Sequence, residues 1–383
     1  MEHNPTPTGL AAAASEVAAD AARRAGVAEA ARRLDPDVVK AMVAAGFPRH
    51  FVPRGRGGSE GTFLELNRAV STVGSGCAAT AWCASLAAHV SRMAAHLPAR
   101  GCEEIWAEGP DALFVAALTP AGRAERVAGG FRLSGTWPFV SAIDHADWAL
   151  LASTPTGQDD TAPRVLAVPR SAWRTVDTWR NVGMAATGSN TVVVEDVLVP
   201  DARTMSREDL FLGRAADSAA SCHAVPMQAT TLMFATPALG AAKGALASWL
   251  GYVSPKIEAA ARASRPALPG MPTFNRATYD VTLAHATTAI DAAELLLDRA
   301  AALLDDGRPL SGPQTMRSWR DCAVATETLV DVANRLFRRV GTTGQAADNP
   351  VQRFWRDINA IAGHQALQVE SAAAAYSHQV LGI

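Results

Sequence analysis

The sequence predicts an α+β fold: an N-terminal α-helical domain over residues 1–112, a central antiparallel β region over 113–220 and a C-terminal four-helix bundle over 221–383. Two features predict it. Ala-rich stretches with helical spacing fill both ends of the 383-residue chain. Between about residues 113 and 215 the period shortens to Val-, Leu- and Thr-rich runs cut by Pro and Gly turns. The length adds a third, since a chain this long divides into two or three domains.

Residues 9–46 read as helices broken near Asp35-Pro36, with Asp35 placed to cap the helix that Pro36 opens. Residues 52–61, Val-Pro-Arg-Gly-Arg-Gly-Gly-Ser-Glu-Gly, form a loop. It lacks the Lys-Ser/Thr ending of a P-loop and reads as a connector. Residues 63–107 are helical again, and the small residues from Gly74 onward predict close packing against a neighbour. Strand-like runs then alternate with turns at Thr119-Pro120, Gly129-Gly130, residues 154–157 and Pro200-Asp201. From about residue 224 the helical period returns, broken at 265–272, 307–313 and 341–350, and four helices of about 20 or more residues are expected there.

Composition excludes several function classes. The formal net charge is −2, which offers no electrostatic case for nucleic acid or an anionic membrane. No apolar run is long enough for a transmembrane helix, and the N-terminus lacks the pattern of a signal peptide. The five cysteines include no CxxC pair and are odd in number, which fits a reduced, cytoplasmic protein. The nine histidines include no HExxH pair, so no metal site is expected.

Four segments carry candidate chemistry. In Leu133-Ser-Gly-Thr-Trp-Pro-Phe-Val-Ser141 the residues Trp137, Phe139 and Ser141 are spaced by two. On a regular strand they share one face, and an aromatic wall ending in a hydroxyl suits a flat, partly polar cofactor; the plainer reading is a half-buried strand. In Trp179–Pro200, Gly183 and Gly188 permit close backbone approach and Thr187 and Ser189 offer hydroxyls; the plainer reading is a turn between strands. In Asn349–His364, Pro350 opens a helix on which Arg353, Arg356 and Asp357 share a face and can pair, with His364 two turns further along the same stripe. His89 sits in an apolar helix, where a core histidine is the plain reading; His96 lies near it at the helix end.

Taken together and in this order, these segments resemble the acyl-CoA dehydrogenase superfamily, whose layout implies that the central β region is an antiparallel β-barrel. They are most similar to its flavin-dependent monooxygenase branch, the hydroxylases of phenols, steroid-derived phenols and dibenzothiophene. The resemblance implies a flavin beside Trp137, Phe139, Ser141, Thr187, Gly188 and Ser189, with Ser141 hydrogen-bonded to flavin N5. It departs from the pattern at Ala185, where the family usually has Arg, and at Ala142, where it usually has Gly. The dehydrogenases carry a catalytic Glu where this chain has Gln365, which cannot act as a base, whereas the monooxygenases carry a His matching His364. The branch also carries a substrate-facing His in the helix that holds His89. An Arg early in the bundle, Arg262 or Arg265, is implied to reach the flavin phosphate of a neighbouring protomer in a homotetramer.

The implied reaction belongs to the oxygenase component of a two-component system. Reduced FMN or FAD, with FMN preferred, comes from a separate flavin reductase, since no Rossmann fingerprint is present to take hydride from NAD(P)H. It reacts with O2 to a C4a-hydroperoxide and hydroxylates a phenolic, aromatic or polyketide-like small molecule. His364 or His89 is implied as the base on the phenol hydroxyl. The alternatives are an acyl-CoA dehydrogenase or oxidase, an amine N-oxygenase on the same fold, and a flavin-binding protein without turnover.

Overall fold

In the computed structural model, which describes residues 9–156, 162–215, 217–262 and 275–382, helix starts follow local chemistry. The N-terminal helices are α1 (Leu10–Ala31), α2 (Pro36–Ala45), α3 (Phe63–Gly76), α4 (Ala78–Ala94) and α5 (Ala99–Ile105). Asp35 caps α2 by accepting the Asp37 N–H, with Pro36 at the first helical position, as the sequence predicts. Thr62 caps α3 in the same way through the Glu65 N–H.

The strands are β1 (Phe114–Ala117), β2 (Arg123–Val127), β3 (Gly130–Val140), β4 (Trp148–Ser153), β5 (Pro155–Thr156), β6 (Arg164–Pro169), β7 (Arg174–Val176), β8 (Asn190–Pro200) and β9 (Thr204–Ser206). They form two sheets, one ordered β1-β4-β6-β9 and the other β5-β2-β3-β8-β7. The expected antiparallel barrel is therefore corrected to two open sheets that pack face to face. Leu133, Trp137, Val192 and Val194 of one sheet meet Leu151, Leu166 and Val168 of the other. Two pairings, β1 with β4 and β2 with β5, are parallel rather than antiparallel.

The remaining helices are α6 (Arg207–Leu212), α7 (Leu232–Arg262), α8 (Arg276–Leu304), α9 (Gly312–Arg339), α10 (Gly341–Gly344), α11 (Pro350–Ala362) and α12 (Val369–Leu381). Three of these are long, with 31, 28 and 29 residues in α7, α9 and α8, while α11 and α12 have 13 each. The expected fourth long helix is thus two short ones, because Gly363 ends α11 and the chain turns before α12.

The N-terminal and C-terminal helices share one core, in which Leu66, Val70 and Val73 of α3 pack with Leu239, Ala242 and Trp249 of α7. The expected close packing at Gly74 occurs where α3 crosses α7: a Cβ there would stand 2.8 Å from the Gly240 Cα. Among the described residues no helix is long and apolar enough to cross a membrane.

Candidate active site

Strand register brings the two hydroxyl-bearing segments together. The β3–β8 ladder ends with Val140 opposite Asn190. Ser141 and Ser189 stand just beyond that pair, and their Oγ atoms lie 2.8 Å apart. Ser189 Oγ is 2.7 Å from Thr187 Oγ1, which donates to the Met184 carbonyl at 2.9 Å. On the other side the Trp82 indole, from α4, donates to Ser141 Oγ at 3.1 Å. Three of the candidate residues, Ser141, Thr187 and Ser189, are thus one hydrogen-bonded chain.

The expected aromatic wall does not form. The register shifts between Trp137 and Val140, and Phe139 takes a left-handed backbone (φ 62°). This irregularity breaks the period-2 alternation. Trp137 is 1 % exposed between the sheets, donating to the Ala152 carbonyl at 2.8 Å, while Phe139 is 72 % exposed. Trp137 is a core residue; Phe139 instead meets Trp179 edge to face, with ring centroids 6.2 Å apart.

The loop between β7 and β8 is clamped from both helical regions. Arg32, at the end of α1, donates to Asp177 at 2.6 Å and to the Trp179 carbonyl at 2.8 Å. Arg356 of α11 pairs with Glu29 at 2.5 Å and donates to the Val182 carbonyl. Asp357 accepts the Met184 N–H at 2.6 Å. The expected pairing of Asp357 with Arg353 or Arg356 is therefore replaced by contacts to the loop. Gly183 is needed here, since a Cβ would lie 2.3 Å from the Arg356 carbonyl oxygen. Burial pushes the Asp357 carboxyl up to about 6, against the Met184 N–H and Arg356, which favour its charge. Gly188 sits in a left-handed turn between Thr187 and Ser189 (φ 54°).

His364 joins this site from the far side, but not on the α11 stripe. The helix stops at Ala362, and the His364 backbone is extended. The ring stacks on Phe234 of α7 at 4.0 Å and meets Trp82 edge to face at 5.6 Å. Its Nδ1 accepts the Ala366 N–H at 3.2 Å. A neutral imidazole whose Nδ1 accepts carries its proton on Nε2. Burial also pushes the ring down to about 4. With Nδ1 occupied, the neutral ring presents its Nε2–H as a donor at the position where the resemblance implies a base.

The structure does not bring His89 to this group. It lies seven residues beyond Trp82 on α4, about 10 Å further along the axis. There it is 1 % exposed and faces Phe51 and Phe63 at 5.4 and 5.9 Å. Burial, with Arg92 and His50 adding to it, holds its pKa well below the usual value. Arg262 is exposed at the end of α7 and pairs with Glu258 at 3.2 Å. Arg265 lies outside the described residues. Sequence reasoning missed Trp82 and Phe234 as site residues; a Trp in an Ala-rich helix was the available signal for the first, and Phe234 carried none.

A flavin needs an apolar surface for its rings and a polar group at its edge. Phe139 (72 % exposed) and Trp179, which meets it edge to face, offer an apolar surface two residues along the chain from the half-buried Ser141. The residues present fit the group. Residues 232–369 match the family model described as acyl-CoA dehydrogenase, C-terminal domain. The chain is 31 % identical over 374 residues to the oxygenase component of the FADH(2)-dependent resorcinol hydroxylase of Rhizobium sp., covering 93 % of this chain and 90 % of that protein.

The chain belongs to the oxygenase components of two-component flavin-dependent monooxygenases. It is likewise 31 % identical over 375 residues to the flavin-dependent monooxygenase oxygenase subunit HsaA of Mycobacterium tuberculosis, covering 94 % of this chain and 92 % of that subunit. The crystal structure of 3-HSA hydroxylase from Rhodococcus sp. RHA1 superposes with a TM-score of 0.90 at 28 % identity, covering 98 % and 97 % of the two chains. This oxygenase is an enzyme that uses reduced flavin, on an acyl-CoA dehydrogenase-like α+β fold. Among its described residues no cluster of His, Cys, Asp and Glu could hold a metal.

Proposed function

We propose that this oxygenase hydroxylates a phenolic aromatic small molecule, taking reduced FMN or FAD, with FMN preferred, from a separate reductase and using O2. The observation that carries the reading is the grouping of Ser141, Trp82, Phe234 and His364, an aromatic cluster with one free acceptor and one free donor. When bound, the reduced flavin supplies activated oxygen. Ser141 would face its N5, positioned by Ser189 and Thr187 behind it, and Phe139 would border its rings. Trp82 and Phe234 exclude water and favour a flat ring. The Nε2–H of His364 donates to the substrate oxygen and stabilises its phenolate form, which raises electron density at the ortho carbon. His89 shapes the interior behind this group.

In this reading the oxygenase acts in the cytoplasm as a homotetramer joined through its C-terminal helices, and Arg262 or Arg265 contacts the flavin phosphate of a neighbouring protomer. Exposed Val281 and Leu295 on α8 support an interface there. A monodisperse monomer by light scattering overturns the assembly.

The function is tested by combining the protein with a flavin reductase, NADH, FMN or FAD, 18O2 and a panel of resorcinols, catechols and alkylphenols. Incorporation of one labelled oxygen into a phenol supports it. Conversion of all O2 to hydrogen peroxide with every phenol, or dehydrogenation of an acyl thioester, overturns it.

A further inference from the structure

The hydroxyl chain at the site has a direction. Each hydroxyl has one proton to give and two lone pairs to accept with. The Met184 carbonyl can only accept, so Thr187 commits its proton there, at 2.9 Å. The bond between Ser189 and Thr187, at 2.7 Å, must then use the Ser189 proton. The bond between Ser141 and Ser189, at 2.8 Å, must in turn use the Ser141 proton. Trp82 Nε1 can only donate, and it fills one lone pair of Ser141 at 3.1 Å. Ser141 is left with no proton and one open lone pair.

Both ends of the chain are fixed. Met184 adopts a left-handed backbone (φ 55°). Asp357 holds its N–H at 2.6 Å, and Trp179 Nε1 donates to its carbonyl at 3.0 Å. The carbonyl that sets the direction cannot turn away without breaking the bonds it accepts from Trp179 Nε1 and, at 3.1 Å, from the Thr187 N–H. At the other end Trp82 is buried and its ring packs against the stacked pair of Phe234 and His364.

We propose that this one-way chain makes Ser141 an obligate acceptor and thereby selects reduced over oxidised flavin, with Ser189 and Thr187 as the positioning residues. The inference rests on the reading above that Ser141 faces flavin N5. Reduced flavin carries a proton on N5 and donates; oxidised flavin presents a lone pair there and would meet the lone pair of Ser141. Selection at this point keeps spent, oxidised flavin from occupying the oxygenase between turnovers.

The test is anaerobic titration of the full-length protein with dithionite-reduced FMN and, separately, with oxidised FMN, followed by flavin fluorescence and calorimetry. The wild type is expected to bind reduced FMN at least tenfold more tightly, the scale of one hydrogen bond gained against one repulsion. Ser189→Ala removes the acceptor for the Ser141 proton. Thr187→Val, close in shape, frees the Ser189 proton to turn toward Ser141. In both variants Ser141 can donate outward, and the preference should fall about tenfold, mainly through tighter binding of oxidised FMN. Ser141→Ala should also reduce the preference, through weaker binding of reduced FMN. An unchanged preference in Ser189→Ala and Thr187→Val, with Ser141→Ala still weakening reduced FMN, overturns the directional chain and leaves the Ser141 contact standing. Unchanged affinities in Ser141→Ala overturn both. Far-UV circular dichroism and melting of each variant separate these outcomes from a folding defect.

Discussion

The indole nitrogen of Trp82 donates to the hydroxyl of Ser141 at 3.1 Å across 59 positions of sequence. The bond joins an N-terminal helix to the end of a central strand, and the same indole touches His364 from the C-terminal region. One side chain thus couples the three parts of the chain that make the site.

Trp82→Phe keeps a ring beside His364 and Phe234 and removes only the donor to Ser141. One neutral hydrogen bond contributes about 1 kcal/mol, so the ratio of hydrogen peroxide released to phenol hydroxylated should rise about fivefold. Peroxide assay against product by chromatography measures this. An unchanged ratio would mean that Trp82 only fills space.

His364→Ala removes the donor to the substrate oxygen, and a hydrogen bond to a charged oxygen contributes about 1.5–3 kcal/mol, so product formation should fall roughly 10- to 100-fold. O2 uptake with reduced flavin should persist. His364→Gln restores an N–H donor and should recover part of the loss, which a lost base would not allow. Because burial holds His364 near 4, the product yield should show no acid limb around pH 6.5. A limb centred near 6.5 would place the ring in water.

Asp357→Ala leaves the Met184 N–H buried without an acceptor, at a cost of about 1–3 kcal/mol. The loop carrying Thr187 and Ser189 loses its anchor, so flavin affinity should fall along with the melting temperature. Asp357→Asn keeps a carbonyl acceptor and should retain most of both. Equal loss in the two variants would show that the negative charge, rather than the acceptor, holds the loop.

Acid should weaken the fold through its buried histidines. His96 and His223 face one another at 6.4 Å beside the buried Arg92, and burial pushes each down to about 4. His50 and His89 are lowered for the same reason. Above pH 6.5 these rings are neutral folded or unfolded and add no pH dependence. Below it the unfolded chain takes up protons that the native fold refuses until about pH 4, so stability is lost across that window. Each such group contributes a slope of about 1.4 kcal/mol per pH unit. Denaturant melts at pH 7, 6 and 5 should show the decline, and His96→Phe should flatten it. A flat profile in the wild type would mean that these rings are solvated.

The sequence by itself determined the order of helical, strand and helical regions, because helical and strand periods are local properties of the chain. Three segments distant in sequence that resemble a family's motifs also marked Ser141, Thr187, Ser189 and His364 as site candidates. The tertiary structure decided the rest. It turned an expected barrel into two open sheets and one expected long helix into two short ones. A shift in the β3–β8 register sent Trp137 into the core and Phe139 to the surface, which an alternating pattern cannot reveal. The role of Asp357 depended on a loop 173 residues away, and the donor state of His364 on a backbone N–H that exists only after α11 ends. Periodicity reports which face a residue occupies in a regular element. Hydrogen-bond direction, ring protonation and burial depend on partners brought together from distant positions, and only the packed chain supplies those.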